Sequence, residues 1–278
     1  MRNINNDSTL IGVSAVHPDY PHIYMLNGYT FSKKTSSLFK YMPLRRLVDS
    51  VNNQELIFVS PDAWYDPFEQ IYYNIDCSSR GYVTEDIACM CLSNKSSTNE
   101  DASWRIYSDS TNKTVRVSFD REVLLSFLDN YAANNGFTVY IGKVNYSLDK
   151  NEIQNLLTSS SEYFPPKMKR EHYLSLMLLK RKAFSYENEI RVFLVKNEIK
   201  FSDNLFSIEC DYRANQLISN IVLSPYPPVR TQTDIAYKVR ERMNKMESDE
   251  IKRRLSDLLD CKIKQSMLYK IYPRISRC

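Results

Sequence analysis

A chain of 278 residues, 43% apolar and 25% charged, has ordinary globular composition and is long enough to bury a core without disulfide or metal staples. Its formal net charge of +4 permits an anionic partner without requiring one, because nucleic-acid binders concentrate basic charge on one face. The five glycines (Gly12, Gly28, Gly81, Gly136, Gly142) spell neither G-x-G-x-x-G nor a P-loop, which excludes the usual dinucleotide fold and the P-loop hydrolases.

Residues 1–36, with Pro18, Pro21 and a polar run ending at Ser37, read as a loosely packed N-terminal extension holding at most one short strand. A single domain is expected over 37–278. It opens with a strand at 38–41, stopped by Pro43, and a helix at 44–51 whose Leu44, Leu47, Val48 and Val51 share a face. A strand at 55–60 ends at Pro61 and a turn-rich stretch to Pro67, and the near-continuous apolar run 87–92 predicts a buried strand. Further on come a short helix at 102–108, a strand at 114–119, a helix at 121–130, a strand at 138–144 and helical spacing over 166–182. Strands at 187–195 and 217–223, a charged helix at 233–259 and a strand at 262–271 complete the chain. Strands outnumber helices without alternating with them, so the expected class is α+β, with a mixed or split β-sheet core and flanking helices.

Six scattered cysteines without C-x-x-C and three distant histidines offer neither a zinc site nor a disulfide framework, so no metal is expected and free thiols suit a reducing cytoplasm. The N-terminus lacks an apolar signal core, and the cluster at 174–179 is far too short to span a bilayer. A cytoplasmic protein without membrane partners is the expectation.

The most informative segment is Phe184-Ser-Tyr-Glu187-Asn-Glu189-Ile-Arg191-Val-Phe193. In a strand, Glu187, Glu189, Arg191 and Phe193 share one face, which turns from charged to apolar as a strand leaves a cleft for the core. The ordinary alternative is a solvent-facing strand start with a surface Glu–Arg pair. Trp104 and Tyr107, three apart on the short helix, can pave a wall for a flat ligand ring or pack on the sheet.

Taken in order, Lys40-Tyr41, the Phe58-Val-Ser60-Pro61 strand end, Asp66-Pro-Phe-Glu69, Trp104-x-x-Tyr107 and Glu187-x-Glu189-x-Arg191 resemble a bacterial family known as domain of unknown function 2971. The late Ile218-Ser-Asn-Ile-Val-Leu-Ser-Pro225 segment is similar too, so the likeness runs from about Leu38 to Tyr272. Met42, Tyr65, Phe184 and Ser224 depart from the residues favoured there. The motif layout also resembles the ADP-ribosyltransferases, whose plan grips NAD without a glycine-rich loop. That resemblance implies Glu189 and Glu187 as catalytic residues, with Lys40, Tyr41, Ser60, Asp66, Trp104, Tyr107 and Arg191 binding the NAD co-substrate. A carboxylate on the ribose hydroxyl would stabilise the oxocarbenium character that develops as nicotinamide leaves, and a second would activate the acceptor. The first-strand His or Arg usual in those enzymes is missing. The implied protein is a toxin or anti-phage effector acting on a nucleic acid (RNA or DNA) or a protein acceptor, with an antitoxin as a further partner. A non-catalytic nucleotide- or partner-binding domain and a nuclease-like toxin are the other readings.

Overall fold

The computed structural model describes residues 11–94, 103–104, 113–147, 151–152, 163–225 and 237–266. The class is α+β, as expected. In chain order the described elements begin with strands β1 (Ser14–His17), β2 (Tyr20–Leu26) and β3 (Ser37–Pro43), helix α1 (Leu44–Asn52) and strand β4 (Glu55–Val59). Helix α2 (Pro67–Tyr73), strands β5 (Asp86–Ser93) and β6 (Thr114–Asp120), helix α3 (Arg121–Asn135) and strand β7 (Thr138–Lys143) follow. Helix α4 (Arg170–Leu176), a 3-10 turn (Lys182–Glu187), strands β8 (Glu189–Lys196), β9 (Leu205–Glu209) and β10 (Ile218–Leu223), helix α5 (Tyr237–Leu258) and strand β11 (Lys262–Gln265) complete them.

Where periodicity was strong, elements fall where the sequence puts them. Several stretches differ: the helical spacing over 166–182 gives only the seven-residue α4 (Arg170–Leu176), and β9 (Leu205–Glu209) was not expected. The supposed extension contains an antiparallel β1–β2 pair, and β2 runs parallel to β7, with Ile23 and Leu26 fully buried. Prolines at 18 and 21 obscured this pairing because they sit in the turn and at the strand start, where a missing N–H costs little. The turn-rich stretch around Pro67 instead starts a helix: Asp66 caps α2 by accepting from the Phe68 N–H, and Pro67 takes the first helical position, where its fixed φ helps.

The chain forms two compact units built from interleaved segments. One takes residues up to Ser36, Leu56–Lys95 and Arg121–Ile208; the other takes Ser37–Glu55, Ser96–Asp120 and Glu209 onward. In the first, β1-β2-β7-β8-β5 form a mixed sheet, and α3 lies against β2 and β7 through Leu124, Leu125, Leu128 and Ala132. In the second, β3-β6-β10-β11 form a smaller mixed sheet, with β10 and β11 parallel.

Gly142 decides a close approach in the first unit. On β7 it faces Arg191 of β8 across the ladder, and a methyl group there would collide with the buried Leu178 side chain. Its bare backbone lets the segment after α4 settle on the sheet, where the Leu178 carbonyl accepts from the Asn145 N–H at 2.7 Å and the Lys180 N–H donates to Asn145 O at 3.1 Å. Gly142→Ala is therefore expected to cost about 1–3 kcal/mol by overpacking, read as a lower urea midpoint.

Candidate functional site

Motifs far apart in sequence converge on one buried charge network in the first unit. Its centre is Arg191, 1% exposed. Nε donates to Glu189 Oε1 at 2.9 Å and Nη2 to Glu189 Oε2 at 3.3 Å. Nη1 donates to the Met177 carbonyl at 2.5 Å, and Nη2 also reaches Glu69 Oε1. Trp64 lies over the guanidinium, with 4.0 Å from Cζ to the ring centroid.

Lys180 ties in the remaining carboxylates. Its Nζ lies 2.7 Å from Glu187, 3.1 Å from Glu189 and 3.8 Å from Glu69. The Glu189 N–H donates to the Tyr146 hydroxyl at 3.1 Å. Alongside, Arg181 donates to both oxygens of Asp66, at 3.2 Å each, while its guanidinium lies over the Phe68 and Phe184 rings.

This geometry corrects two expectations. Glu187 is not on a strand: it ends the 3-10 turn, Asn188 takes a left-handed φ of 45°, and the strand starts at Glu189. The carboxylates nonetheless meet, because both reach Lys180. The charged face does not open to solvent either, since Glu189 is 5% exposed and Arg191 is sealed. Arg191 accordingly grips the protein's own carboxylates and has no free face for a cofactor.

The other sequence-predicted residues are dispersed. Asp66 caps α2 and holds Arg181, and Ser60 caps the short turn Pro61–Ala63 by accepting from the Asp62 N–H. Lys40 and Tyr41 lie on β3 of the second unit. There the fully buried Trp104 packs edge-on against Tyr41, with centroids 5.0 Å apart, and both rings meet Val222. Trp104 is thus core, not a ligand wall. Tyr107 lies outside the described residues. Residue-by-residue reading missed the roles of Glu69, Lys180, Arg181 and Trp64. The signals were present: Glu69 closes a D-P-F-E helix start, and Lys180-Arg-Lys182 precedes the acidic turn.

Among the described residues no group of His, Cys, Asp and Glu could hold a metal ion, and no helix is long and apolar enough to cross a membrane. The network holds three carboxylates and two cations, one negative charge in excess. Glu187 absorbs that excess. Burial pushes its carboxyl up from 4.5 to about 7, and repulsion from Glu189 and Glu69 adds to burial against Lys180, whose single ammonium is shared three ways. Burial acts on Glu189 in the same sense, but the charges of Arg191 and Lys180 outweigh it and hold Glu189 well below the usual carboxylate range.

Arg191→Ala should leave the buried Glu69 and Glu189 sharing Lys180 with Glu187, and cost about 3–5 kcal/mol in chemical denaturation. Arg191→Lys should not restore the loss, because an ammonium cannot reproduce the fork to Glu189, Glu69 and Met177. Glu187 gives a second test. Between about pH 4.5 and 7 the folded chain keeps a proton that the unfolded chain has lost, so stability falls as pH rises, by at most about 1.4 kcal/mol per pH unit. Glu187→Gln mimics the protonated form: its melting temperature should match wild type near pH 4.5 and exceed it above pH 7.

Residues 103–192 match the family model described as Protein of unknown function (DUF2971), a span from Trp104 through β6, α3, β7 and α4 to Arg191 on β8. No curated protein and no solved structure matches the chain. The family whose motifs the sequence resembles is the one whose model matches residues 103–192.

Proposed function

We propose that this protein is an NAD-dependent ADP-ribosyltransferase effector that transfers ADP-ribose to a nucleic acid or protein acceptor, in the manner of toxin–antitoxin or anti-phage modules. One observation carries the reading: Glu187 and Glu189, both on Lys180, have proton affinities pushed in opposite directions, Glu187 up to about 7 and Glu189 down. Paired carboxylates with separated affinities divide acid–base and electrostatic work at neutral pH. NAD would supply a glycosidic bond whose nicotinamide leaves with the bonding electrons. Glu189, held ionised, stabilises positive charge developing on the ribose. Glu187 takes the proton released by the acceptor nucleophile as that nucleophile bonds to the ribose carbon. Its side chain is 14% exposed, against 7% for Glu189, so Glu187 is the member nearer solvent.

A second reading is a non-catalytic nucleotide- or partner-binding domain. It is favoured by the capture of both Glu189 oxygens by Arg191 and Lys180, an arrangement that also serves folding alone.

Labelled NAD incubated with the protein and total cell extract separates the two: label transfer supports the enzyme, and NAD binding without turnover supports the binding domain. In the enzyme, Glu189→Gln should lower both transfer and NAD hydrolysis by about 100-fold, near 3 kcal/mol. Its melting curve is read alongside, because Arg191 loses a charged partner. Glu187→Gln should lower transfer more than hydrolysis, and wild-type transfer should rise with pH through about 7 as Glu187 gives up its proton. Unchanged NAD turnover in Glu189→Gln would remove that residue from the mechanism.

A further inference from the structure

Carboxylates gather a second time in the first unit, around a cavity of about 450 Å³ beside the C-terminal end of α2 and the segment leading into β5. That volume is typical of a small-ligand site. Two kinds of side chain line it. Half-buried Tyr73 and Tyr82 supply its aromatic lining, backed by the buried Tyr173, whose ring lies 5.5 Å from that of Tyr82 and whose hydroxyl donates to the Tyr73 carbonyl at 2.5 Å. Asp62, Asp76, Glu85 and Asp86 supply negative charge, and among the described residues no Lys, Arg or His lines the cavity.

The carboxylates are not equally compensated. Glu85 is neutralised by Arg170, whose Nε and Nη2 each donate to it at 2.5 Å. Asp76 accepts from the Ser78 N–H at 2.8 Å and Asp86 from the Ile199 N–H at 2.8 Å, neutral partners that orient a carboxylate without cancelling its charge. Asp62 stands exposed at the rim. Tyr73 registers this field: burial raises its hydroxyl, a hydrogen bond with Ser60 lowers it, and Asp62 and Asp86 raise it further.

We propose that this cavity binds an alkyl cation, the ammonium or guanidinium end of a polyamine or of a basic side chain. The charge selects the sign of the ligand. Tyr73 and Tyr82 favour an organic cation over a hydrated metal ion, since aromatic rings attract a cationic head and pack its methylene stem. A metal would need converging oxygen ligands, and the described residues present no such group. Neither Glu187 nor Glu189 belongs to the cavity, so the inference is independent of the NAD reading.

The test is titration calorimetry on the full chain at low salt, with spermidine and, separately, a capped tri-lysine peptide as probes. The variant is Asp62→Asn/Asp76→Asn, which removes two charges but keeps an oxygen at 76 to accept from Ser78. Saturable one-site binding is expected, weakened about tenfold or more in the double variant and weakened by added salt. Tighter binding of spermidine identifies a free polyamine as the source of the cation, and tighter binding of the peptide identifies a protein segment. No saturable binding of either probe, or equal affinity in a double variant with wild-type melting temperature, would overturn the proposal.

Discussion

A guanidinium stripped of water needs its charge balanced and its N–H donors occupied, or the interior that holds it is destabilised by several kcal/mol. Arg191 meets both requirements with groups from separate parts of the chain: Glu189 two residues away, Glu69 at the start of α2, and the Met177 carbonyl just after α4. None of these contacts can be given up cheaply, so each fixes a neighbouring element. β8 is registered against β5 and β7, α2 is oriented with its first turn over the guanidinium, and the chain leaving α4 is held to the sheet.

The surrounding residues make that arrangement possible. Gly142 removes the side chain that would keep Leu178 off the sheet, and Asn145 then fastens the backbone on either side of Leu179. Lys180 is delivered by that fastening. Asp66 works twice, capping α2 and fixing Arg181, whose ring contacts with Phe68 and Phe184 bring the 3-10 turn beside the helix. The D-P-F-E and E-x-E-x-R motifs are thus two halves of one electrostatic unit.

The same unit has a chemical consequence. Three carboxylates around two cations leave one charge uncompensated, and the proton that compensates it settles on Glu187, the member without a direct bond to Arg191. A network that holds the fold together therefore also holds a group titrating near neutrality at its edge. The residue that titrates is not the one that anchors the guanidinium, so a change in Glu187 protonation leaves the Glu189–Arg191 pair in place.

Local pattern was enough to identify most elements of this protein. The apolar run 87–92, the alternation in 114–119 and the helical spacing of 121–130 depend only on which side chains repeat on one face, and all three became the elements they predict. The importance of Glu187, Glu189 and Arg191 was also legible, since charges beside a buried strand demand an explanation. Tertiary structure decided what those charges face. Whether Arg191 meets solvent, ligand or Glu69 depends on a helix start more than a hundred residues earlier, and no periodicity carries that information. Trp104 shows the same limit: three-residue spacing put it on a face with Tyr107, and only the fold revealed that Tyr41 and Val222 close over the ring. Side-chain spacing is a property of one segment; burial is a property of whatever other segments bring against it.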